Sequence, residues 1–404
     1  MKKRVVITGM GLVSSLGNDL KTFWHNIIRG KSGISEVTSF DTTRYDHRFG
    51  GEVKNFDPIN FLSKGETKIY GRSTQFAIAA TRSALIDAGL YREISELARH
   101  IGVIIGTTFG EAQIIEDATK FLVNGFDRKS ARRINLKQYN PNTVSVNIAK
   151  KFRLLGPNLV IPTACAAGNY AIAHAASLLE MGRVNIMLAG GVDPFSRVSF
   201  SGFGRLGVMA KEKCQPFDKN RKGMLVGEGA GIVVLEEYGF AKQRGAKMYG
   251  EILGCGLNCD ANHMTIPEVR GVIAVMEKAV KNSGVPIKDI DYVCAHGTGT
   301  MVNDKIESLA IRKVFYDRNN TVPVSSIKSM LGHTMGAASA LETIASLLTI
   351  QENEIPPTIN YETPDPECDI DCVPNKSRKQ KVGVVLNNSF AFGGNNACLV
   401  LGRL

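Results

Sequence analysis

The stretch Leu159-Val160-Ile161-Pro162-Thr163-Ala164-Cys165-Ala166-Ala167-Gly168 decides how the chain folds. An apolar run stops at a proline, a cysteine follows three residues later, and alanine dominates the sequence as far as Gly182. This order predicts a buried strand, a sharp turn that carries Cys165, and a helix that ends at Gly182. Because small side chains let neighbouring backbones approach closely, we expect this helix at the centre of the molecule.

Two interpretations of Cys165 follow from this local pattern. A thiol at the first turn of a helix faces unpaired N–H groups and the positive end of the helix dipole, which favour the thiolate. The same N–H groups could hold an oxyanion. A lone buried cysteine is, however, more often a small hydrophobic residue. The stretch alone leaves both interpretations open.

Composition places the chain among ordinary globular proteins. It has 404 residues, 44% of them hydrophobic and 22% charged, a length that suggests two or three structural units. No run approaches 18 apolar residues, so we expect no membrane span. The eight cysteines form no CxxC pair, and several fall in predicted strands. We therefore expect a reducing, cytoplasmic location.

The charge favours an acidic partner. The formal net charge is +11, and the basic residues are dispersed apart from small clusters within 128–133 and 376–381. Such a balance is typical of proteins that bind nucleic acid, membrane surfaces or acidic proteins. Nucleic acid is the weaker choice, because the aromatic interleaving typical of RNA recognition is missing.

Strand and helix patterns alternate along the whole chain, which predicts the α/β class with largely parallel, doubly covered sheets. Gly9-Met10-Gly11 follows the first strand, but Ser14 stands where a dinucleotide-binding motif needs its third glycine. Residues 36–66 predict a long loop pinned by aromatics, and Gly202-Phe203-Gly204 predicts a mobile loop. A polar joint at 242–247 divides the chain into units 1–245 and 246–404.

The two units echo each other. The strand pattern at Ala230–Leu235 returns 167 residues later at Ala397–Leu401, and His333 follows Cys165 by 168 residues. Each of the two residues precedes a helix of small side chains. Near-equal offsets predict a duplicated unit with both residues at equivalent turns, although two buried strands can also resemble each other by chance.

Three further turns carry polar or glycine-rich segments at the ends of predicted strands. Cys294-Ala295-His296-Gly297-Thr298 places one histidine, and Lys328-Ser329-Met330-Leu331-Gly332-His333 places another. Asn388-Ser389-Phe390-Ala391-Phe392-Gly393-Gly394 joins the last two strands. A lone histidine is more often a satisfied polar group than a catalyst. Strand ends are, however, where sites of α/β proteins assemble.

Together with the cysteine turn, these segments resemble the β-ketoacyl–acyl carrier protein synthases, especially the type II enzymes of fatty acid and polyketide synthesis. The motifs stand in family order over essentially the whole chain. The resemblance implies a thiolase-like fold, in which duplicated halves form a five-layer α-β-α-β-α arrangement, and a dimer. It implies decarboxylative condensation of an acyl group on cysteine with malonyl–acyl carrier protein.

The resemblance also implies roles for individual residues. Cys165 is the nucleophile, His296 and His333 hold the enolate oxygen, Lys328 supports the histidines, and the N–H groups of Cys165 and Phe392 form an oxyanion hole. The remaining implied residues contact substrate or support the site: Thr298, Thr300, Phe390, Phe392, Thr108 and Phe203 for substrate, and Asp304, Glu307 and Glu342 as supporting carboxylates. It implies no cofactor beyond carrier-bound phosphopantetheine and no catalytic metal.

Some positions depart from the family pattern. Ala391 replaces a glycine between the two phenylalanines and predicts a stiffer loop, and Cys294 replaces an asparagine, which puts the monovalent cation site of some relatives in doubt. The segment 107–111 and Asn395 also differ from the housekeeping enzymes. These departures favour a specialised polyketide or polyene synthase.

The implied partner is an acidic acyl carrier protein, steered by basic residues near the pocket mouth. The candidates for this contact are Lys64, Lys68, Arg128, Arg132 and Arg205. Subunit choice, homodimer or heterodimer with a chain-length-factor-like chain, stays open. Two other functions also stay open: a non-elongating partner subunit, which normally lacks the cysteine, and a thiolase acting on coenzyme A esters, which needs a second cysteine on the final loop.

Overall fold

The computed structural model describes residues 3–123, 136–315 and 321–404. Ten strands form its main sheet. In chain order they are β1 Val5–Ser14, β2 Ile101–Gly106, β3 Asn158–Ile161, β4 Ile186–Asp193, β5 Gly229–Glu237, β6 Gly250–Cys259, β7 Tyr292–Cys294, β8 Val324–Ser325, β9 Val384–Phe390 and β10 Asn395–Gly402. Two-residue strands outside it pair Ser35–Glu36 with Phe49–Gly50 and Glu354–Ile355 with Arg378–Lys379.

The sheet consists of two halves with one topology. Its first half has the order β1-β5-β4-β2-β3 and its second half β6-β10-β9-β7-β8. Each half has two antiparallel pairings followed by two parallel ones. A short antiparallel contact, Val6 opposite Glu251 and Ile7 opposite Gly250, joins the halves. The predicted duplication is therefore confirmed at the level of strand order.

Helices cover both faces of each half and fill the space between the halves, which gives the five predicted layers. Their bounds are α1 Leu20–Ile28, α2 Lys64–Ile69, α3 Arg72–Asp87, α4 Ile94–Leu97, α5 Ala112–Val123, α6 Thr143–Phe152, α7 Ala167–Glu180, α8 Arg197–Arg205, α9 Tyr238–Gln243, α10 Val269–Ser283, α11 Met301–Val314, α12 Lys328–Leu331 and α13 Ala338–Glu352. Helices α7 and α13 pack on each other in the middle layer. The predicted unit boundary at residue 245 lies between α9 and β6 and stays a prediction.

Small residues allow the two central helices to approach closely, as the alanine-rich sequence of α7 predicts. A Cβ atom added at Gly168 would lie 2.7 Å from Ser339 Oγ and 2.8 Å from the Ala340 backbone nitrogen. Every residue from Ala338 to Ile350 is buried. The predicted helix end is also confirmed, because Gly182 follows α7 with a φ of 66°, a value that glycine adopts at little cost.

The structure corrects two details of the sequence interpretation. The residues around Phe203 form helix α8 rather than a mobile loop. Ser196 caps this helix, and Phe200 and Phe203 are buried beneath it. In the sequence, the spacing of these phenylalanines favoured a helix, but three nearby glycines favoured a loop more strongly.

The two turns are equivalent as predicted, and the second correction concerns the positions of the two residues within them. Ala164 and Met335 have positive φ values, 49° and 54°, and each opens a short 3-10 turn that leads into α7 or α13. By this backbone match, the counterpart of Cys165 is Gly336. His333 lies three residues earlier, so the near-equal sequence offsets reflected neighbouring positions and not equivalent ones.

Candidate active site

Cys165 lies in the turn between β3 and α7, as the sequence predicts. The turn is buried, and the Ser389 hydroxyl at the end of β9 donates a hydrogen bond of 2.9 Å to the Cys165 carbonyl oxygen. Gly106 explains why the strand ends can meet here, because an added Cβ would lie 2.2 Å from the Ala167 carbonyl carbon. The nucleophile candidate is thus fixed from both halves of the molecule.

The two predicted histidines come to the same point from the second half. His296 follows β7, and His333 precedes the 3-10 turn before α13. The candidate ligand atoms of Cys165, His296 and His333 all lie within 4.8 Å of one another. The imidazole rings meet edge to face, with centroids 5.4 Å apart and an interplanar angle of 83°. The cysteine is therefore brought into one buried cluster with two histidines that lie 131 and 168 positions after it.

Hydrogen bonds fix the same tautomer on both histidines. The Met335 backbone N–H donates to His333 Nδ1 at 2.9 Å, and the Lys328 ammonium lies 3.3 Å from His296 Nδ1. Since each Nδ1 faces a donor, each ring carries its proton on Nε2. Within the described part of the chain, His333 Nε2 is buried and has no hydrogen-bond partner. The two Nε2–H groups are therefore donors available to a substrate oxygen.

Burial keeps both rings uncharged. The pKa of His296 lies well below its ordinary value because burial disfavours the imidazolium, with the Lys328 charge and His333 acting in the same direction. The pKa of His333 is also well below its ordinary value, from burial first and Lys328 second. Both histidines are neutral at pH 7, as donors of N–H bonds rather than as cations.

Lys328 supports this arrangement from beneath. It is buried, it forms an ion pair with Glu342, and it donates a bond of 2.6 Å to the His296 carbonyl oxygen. Burial raises the pKa of Glu342 to about 7, while Lys328 acts to lower it. The lysine touches His296 through two atoms, consistent with its predicted supporting role.

Two buried carboxylates hold the His296 turn. Glu307 accepts the backbone N–H groups of His296 and Gly297, both at 2.8 Å. Asp304 accepts those of Thr298 and Gly299, both at 3.0 Å. These bonds satisfy successive N–H groups that would otherwise be buried without partners.

The environment of Cys165 works against the thiolate that one interpretation of the sequence favours. Burial raises the pKa of the thiol to about 11 and outweighs the opposing effects of Lys328 and of two backbone N–H groups. Those two N–H groups, from Cys165 and Phe392, are the ones that the resemblance assigns to an oxyanion hole. Both act to lower the pKa of the sulfur, and their role as an oxyanion hole stays a prediction.

A cavity of about 230 Å³ opens onto the three reactive residues. Five of the predicted substrate contacts line it, namely Thr298, Thr300, Phe203, Phe390 and Phe392. Thr108 does not line this cavity. Its backbone N–H donates to Asp193 at 2.7 Å, and its hydroxyl oxygen is buried without a hydrogen-bond partner among the described residues. The substrate contact of Thr108 stays a prediction.

Comparisons with known proteins agree with this geometry. A model described as "Beta-ketoacyl synthase, N-terminal domain" matches residues 2–241, and one described as "Beta-ketoacyl synthase, C-terminal domain" matches residues 249–362. The chain belongs to the β-ketoacyl synthase family. The resemblance drawn from the sequence motifs is therefore confirmed.

Individual members of the family are similar over the full length. The 3-oxoacyl-[acyl-carrier-protein] synthase 2 of Synechocystis is 41% identical, over 98% of this chain and 97% of its own. The solved ishigamide ketosynthase/chain length factor is 40% identical, with a TM-score of 0.96 and full coverage of both chains. A type II PKS acyl-carrier protein in complex with its ketosynthase, bound to the hexaketide, matches at 32% identity, with a TM-score of 0.90 and full coverage of both chains.

In this β-ketoacyl synthase the Cys165, His296 and His333 cluster does not fit a metal ion, although its atoms lie close enough together. A histidine that binds a metal through Nε2 needs a hydrogen-bond acceptor at Nδ1. Here Met335 N–H and the Lys328 ammonium occupy those positions as donors. The donor set therefore agrees with the prediction that no metal takes part.

Sequence reasoning missed Asp193, which touches both the 107–109 segment and the turn after His333. Its position as the last residue of a buried strand was the available signal. Of the docking candidates, Lys64, Lys68 and Arg205 are described by the structure, while Arg128 and Arg132 lie outside the described residues. Over the described ranges, no helix has the length and apolar character that crossing a membrane requires.

Proposed function

We propose that this protein elongates carrier-bound acyl chains by decarboxylative condensation with malonyl–acyl carrier protein, giving 3-ketoacyl–acyl carrier protein. One observation carries the proposal: two neutral imidazoles present Nε2–H groups to the same cavity as a buried cysteine. In this arrangement the cysteine can be acylated, and the two N–H groups can stabilise an enolate beside it. A hydrolase would need a base for water, and both Nδ1 atoms here are occupied by donors.

The first step loads the enzyme. The Cys165 sulfur attacks the carrier thioester carbonyl, the N–H groups of Cys165 and Phe392 hold the oxyanion, and the carrier's pantetheine thiol leaves. The thiol proton of Cys165 is balanced by the proton that the leaving thiol takes up. Burial raises the pKa of the Cys165 thiol to about 11, which favours the protonated thiol at rest. We therefore expect the thiol to lose its proton when a substrate carbonyl occupies the oxyanion hole.

The second step forms the carbon–carbon bond. Malonyl carrier protein binds with its thioester oxygen between His296 Nε2–H and His333 Nε2–H, and loss of carbon dioxide leaves an enolate at that oxygen. The enolate carbon attacks the acyl carbonyl on Cys165. Collapse of the intermediate expels the Cys165 thiolate, which takes up a proton and restores the resting enzyme.

The partner in both steps is an acidic carrier protein whose phosphopantetheine arm passes Thr298 and Thr300. Lys222 lies among the residues that line the cavity, and Lys64, Lys68 and Arg205 are further candidates for contact with the acidic surface. If electrostatics steers this encounter, raising the salt concentration from low to physiological should slow acylation by carrier protein.

A second subunit completes the proposed enzyme. Strand β3 lies at an edge of the main sheet, and Leu159 on it is 51% exposed, which leaves an unpaired edge for another chain. The alternatives are a homodimer and a heterodimer with a chain-length-factor-like chain, as in the ketosynthase/chain length factor named above. A measurement of the mass of the assembly in solution distinguishes them. The eight cysteines all lie within the described residues and form no disulfide, which supports a cytoplasmic location.

The proposal is tested by mixing the protein with an acyl carrier protein and a malonyl carrier protein and measuring the intact masses of all species. Acylated enzyme together with a 3-keto product two carbons longer supports elongation by this chain alone. Acylation without product indicates that a partner subunit is needed. If neither carrier nor coenzyme A donors acylate the protein, the catalytic proposal is wrong and a non-elongating partner subunit takes its place.

The same experiment separates the thiolase alternative. A thiolase acting on coenzyme A esters condenses without malonyl decarboxylation and uses a second cysteine on the final loop. Phe392-Gly393-Gly394 contains none, and Cys398 lies inside β10. Product formed from acetyl-coenzyme A in the absence of malonyl carrier protein would favour the thiolase.

A further inference from the structure

One buried carboxylate near the site has no place in the steps above. Asp193 ends β4 and is fully buried. It accepts four hydrogen bonds: from the Thr107 hydroxyl at 2.8 Å, and from the backbone N–H groups of Thr108 at 2.7 Å, Phe109 at 2.8 Å and Gly336 at 2.6 Å. These donors come from two separate segments, and each segment touches the active site.

The first segment connects Asp193 to His333. The Gly336 N–H that bonds to Asp193 follows directly after Met335, whose N–H donates to His333 Nδ1. The turn has little room to shift, because a Cβ added at Gly336 would lie 2.7 Å from both Asp193 Oδ2 and Thr107 Cα. The orientation of the His333 donor therefore depends on a turn that Asp193 holds.

The second segment connects Asp193 to the wall of the cavity. Phe109 packs edge to face on Phe203 with ring centroids 6.4 Å apart, and Phe203 lies 6.3 Å from Phe392. Phe203 and Phe392 line the cavity. The carboxylate thus lies between the wall that faces the acyl chain and the histidine that faces the malonyl group.

We propose that Asp193 is a positioning residue for the decarboxylation step, holding the Met335-Gly336 turn so that His333 Nε2–H points at the enolate oxygen. The inference rests on the proposed function, because it assigns Asp193 to one of its two steps, decarboxylation, and not to the other, acylation. The two steps are measured separately. The acylation step does not use His333. Loss of the Asp193 carboxylate should therefore slow decarboxylation much more than acylation.

The test compares Asp193→Asn with wild-type enzyme in two assays, acylation of Cys165 and conversion of malonyl carrier protein to acetyl carrier protein, both by intact mass. The amide keeps the size of Asp193 but replaces one acceptor oxygen by a donor. We expect decarboxylation to fall about 10- to 100-fold while acylation changes by less than about threefold, as for residues that orient a catalytic ligand. Asp291→Asn is the matched control, because Asp291 also accepts two backbone N–H bonds, at 2.7 and 2.9 Å, from Gly383 and Val384 at the start of β9.

A second pair of variants keeps the test decisive if Asp193→Asn does not fold. Thr107→Ser retains the hydroxyl that bonds to Asp193, and Thr107→Val removes it. We expect the valine variant to lose decarboxylation selectively and the serine variant to retain it. Equal loss of both steps in the Asp193 and valine variants, or no loss in either, would overturn the inference. Failure of wild-type enzyme in both assays would instead refute the proposed function, and the inference with it.

Discussion

The turn before α7 and the turn before α13 follow the same backbone path and carry different chemistry. Each opens with a residue of positive φ, Ala164 or Met335, and continues through a 3-10 turn into a central helix. The first turn presents a thiol. The second presents Gly336 where the thiol would stand, and its Met335 N–H sets the tautomer of His333. In the proposed function, one duplicated scaffold thus supplies the nucleophile from one half and the enolate donors from the other.

Each turn is also held by a hydrogen bond from the opposite half of the molecule, and the two bonds differ. Ser389, from the second half, donates to the carbonyl oxygen of Cys165, whereas Asp193, from the first half, accepts from the N–H of Gly336. The exchange of contacts means that neither half has a complete site by itself. The comparison therefore predicts that substitutions in the two turns should damage different steps.

The largest expected effect is that of Cys165→Ala. Removal of the nucleophile should lower condensation at least about 10⁴-fold, as when a catalytic nucleophile is removed from other enzymes. Acyl-enzyme should be missing from the intact-mass spectrum. Cys255→Ala, at a half-buried cysteine of β6, is the control and should acylate normally; acylation of Cys165→Ala at another cysteine would break the assignment.

His333→Ala should damage the other step. Loss of one donor to a developing oxyanion costs about 10²- to 10³-fold, so malonyl decarboxylation should fall by that factor while Cys165 is still acylated. His296→Ala should behave alike, since both Nε2–H groups act on one oxygen. The measurement is acetyl carrier protein formed per unit time, and a His333→Ala enzyme that cannot be acylated would contradict the division of roles.

Lys328→Met tests the histidine site through the pH dependence of malonyl decarboxylation. Burial and, next, the Lys328 charge hold the pKa values of His296 and His333 well below their ordinary range. Without that charge both pKa values rise, and protonation at Nδ1 of His333 would face the Met335 N–H. As pH falls, decarboxylation should therefore be lost at a higher pH than in wild-type enzyme.

The pH–rate profile of decarboxylation measures this shift. Removing one partner of a buried ion pair costs about 3–5 kcal/mol, so Lys328→Met is best compared with a Lys328→Met, Glu342→Gln double variant, in which no carboxylate is left unpaired. An unchanged acid limb in both variants would show that Lys328 does not set the histidine charge.

Gly168→Ala tests the contact between the two central helices. The added methyl group would lie 2.7 Å from Ser339 Oγ, so the helices have to separate. We expect a loss of about 1–3 kcal/mol in the free energy of unfolding, the usual cost of overpacking. Ala176→Gly, in the same helix away from Ser339, controls for helix propensity, and an unchanged Gly168→Ala stability would contradict close packing of the halves.

The smallest effect is expected for Ala391→Gly in the loop between β9 and β10. Ala391 is buried, its N–H donates to the Asn395 carbonyl oxygen at 3.0 Å, and Gly394 donates back to Ala391 at 3.0 Å. Glycine should loosen this loop at a cost of at most about 1 kcal/mol and widen the distribution of product chain lengths. An unchanged product profile would count against a stiffer gate.

Much of this arrangement could be predicted, because it depends on local patterns of apolar, small and turn-forming residues in the sequence. The strand, turn and alanine-rich helix around Cys165 were evident from the sequence, and the motifs at His296 and His333 placed both histidines at turns. The sequence could not predict the tertiary contacts. The burial that raises the pKa of Cys165, the Lys328 donor at His296 Nδ1 and the four bonds to Asp193 depend on segments far apart in the chain.

The wrong prediction of a mobile loop has the same origin. Glycines 202, 204 and 207 suggested a loop at Phe203, yet packing of Phe200 and Phe203 against the core stabilises a helix there. There a tertiary contact outweighed the local preference of the sequence.

The most direct test of the division between the halves is malonyl decarboxylation by Cys165→Ala measured beside acylation of His333→Ala, both by intact mass. We predict that Cys165→Ala still converts malonyl carrier protein to acetyl carrier protein although it forms no acyl-enzyme, and that His333→Ala forms acyl-enzyme but decarboxylates little. If Cys165→Ala loses decarboxylation as completely as His333→Ala does, the two turns do not act separately and the account is contradicted.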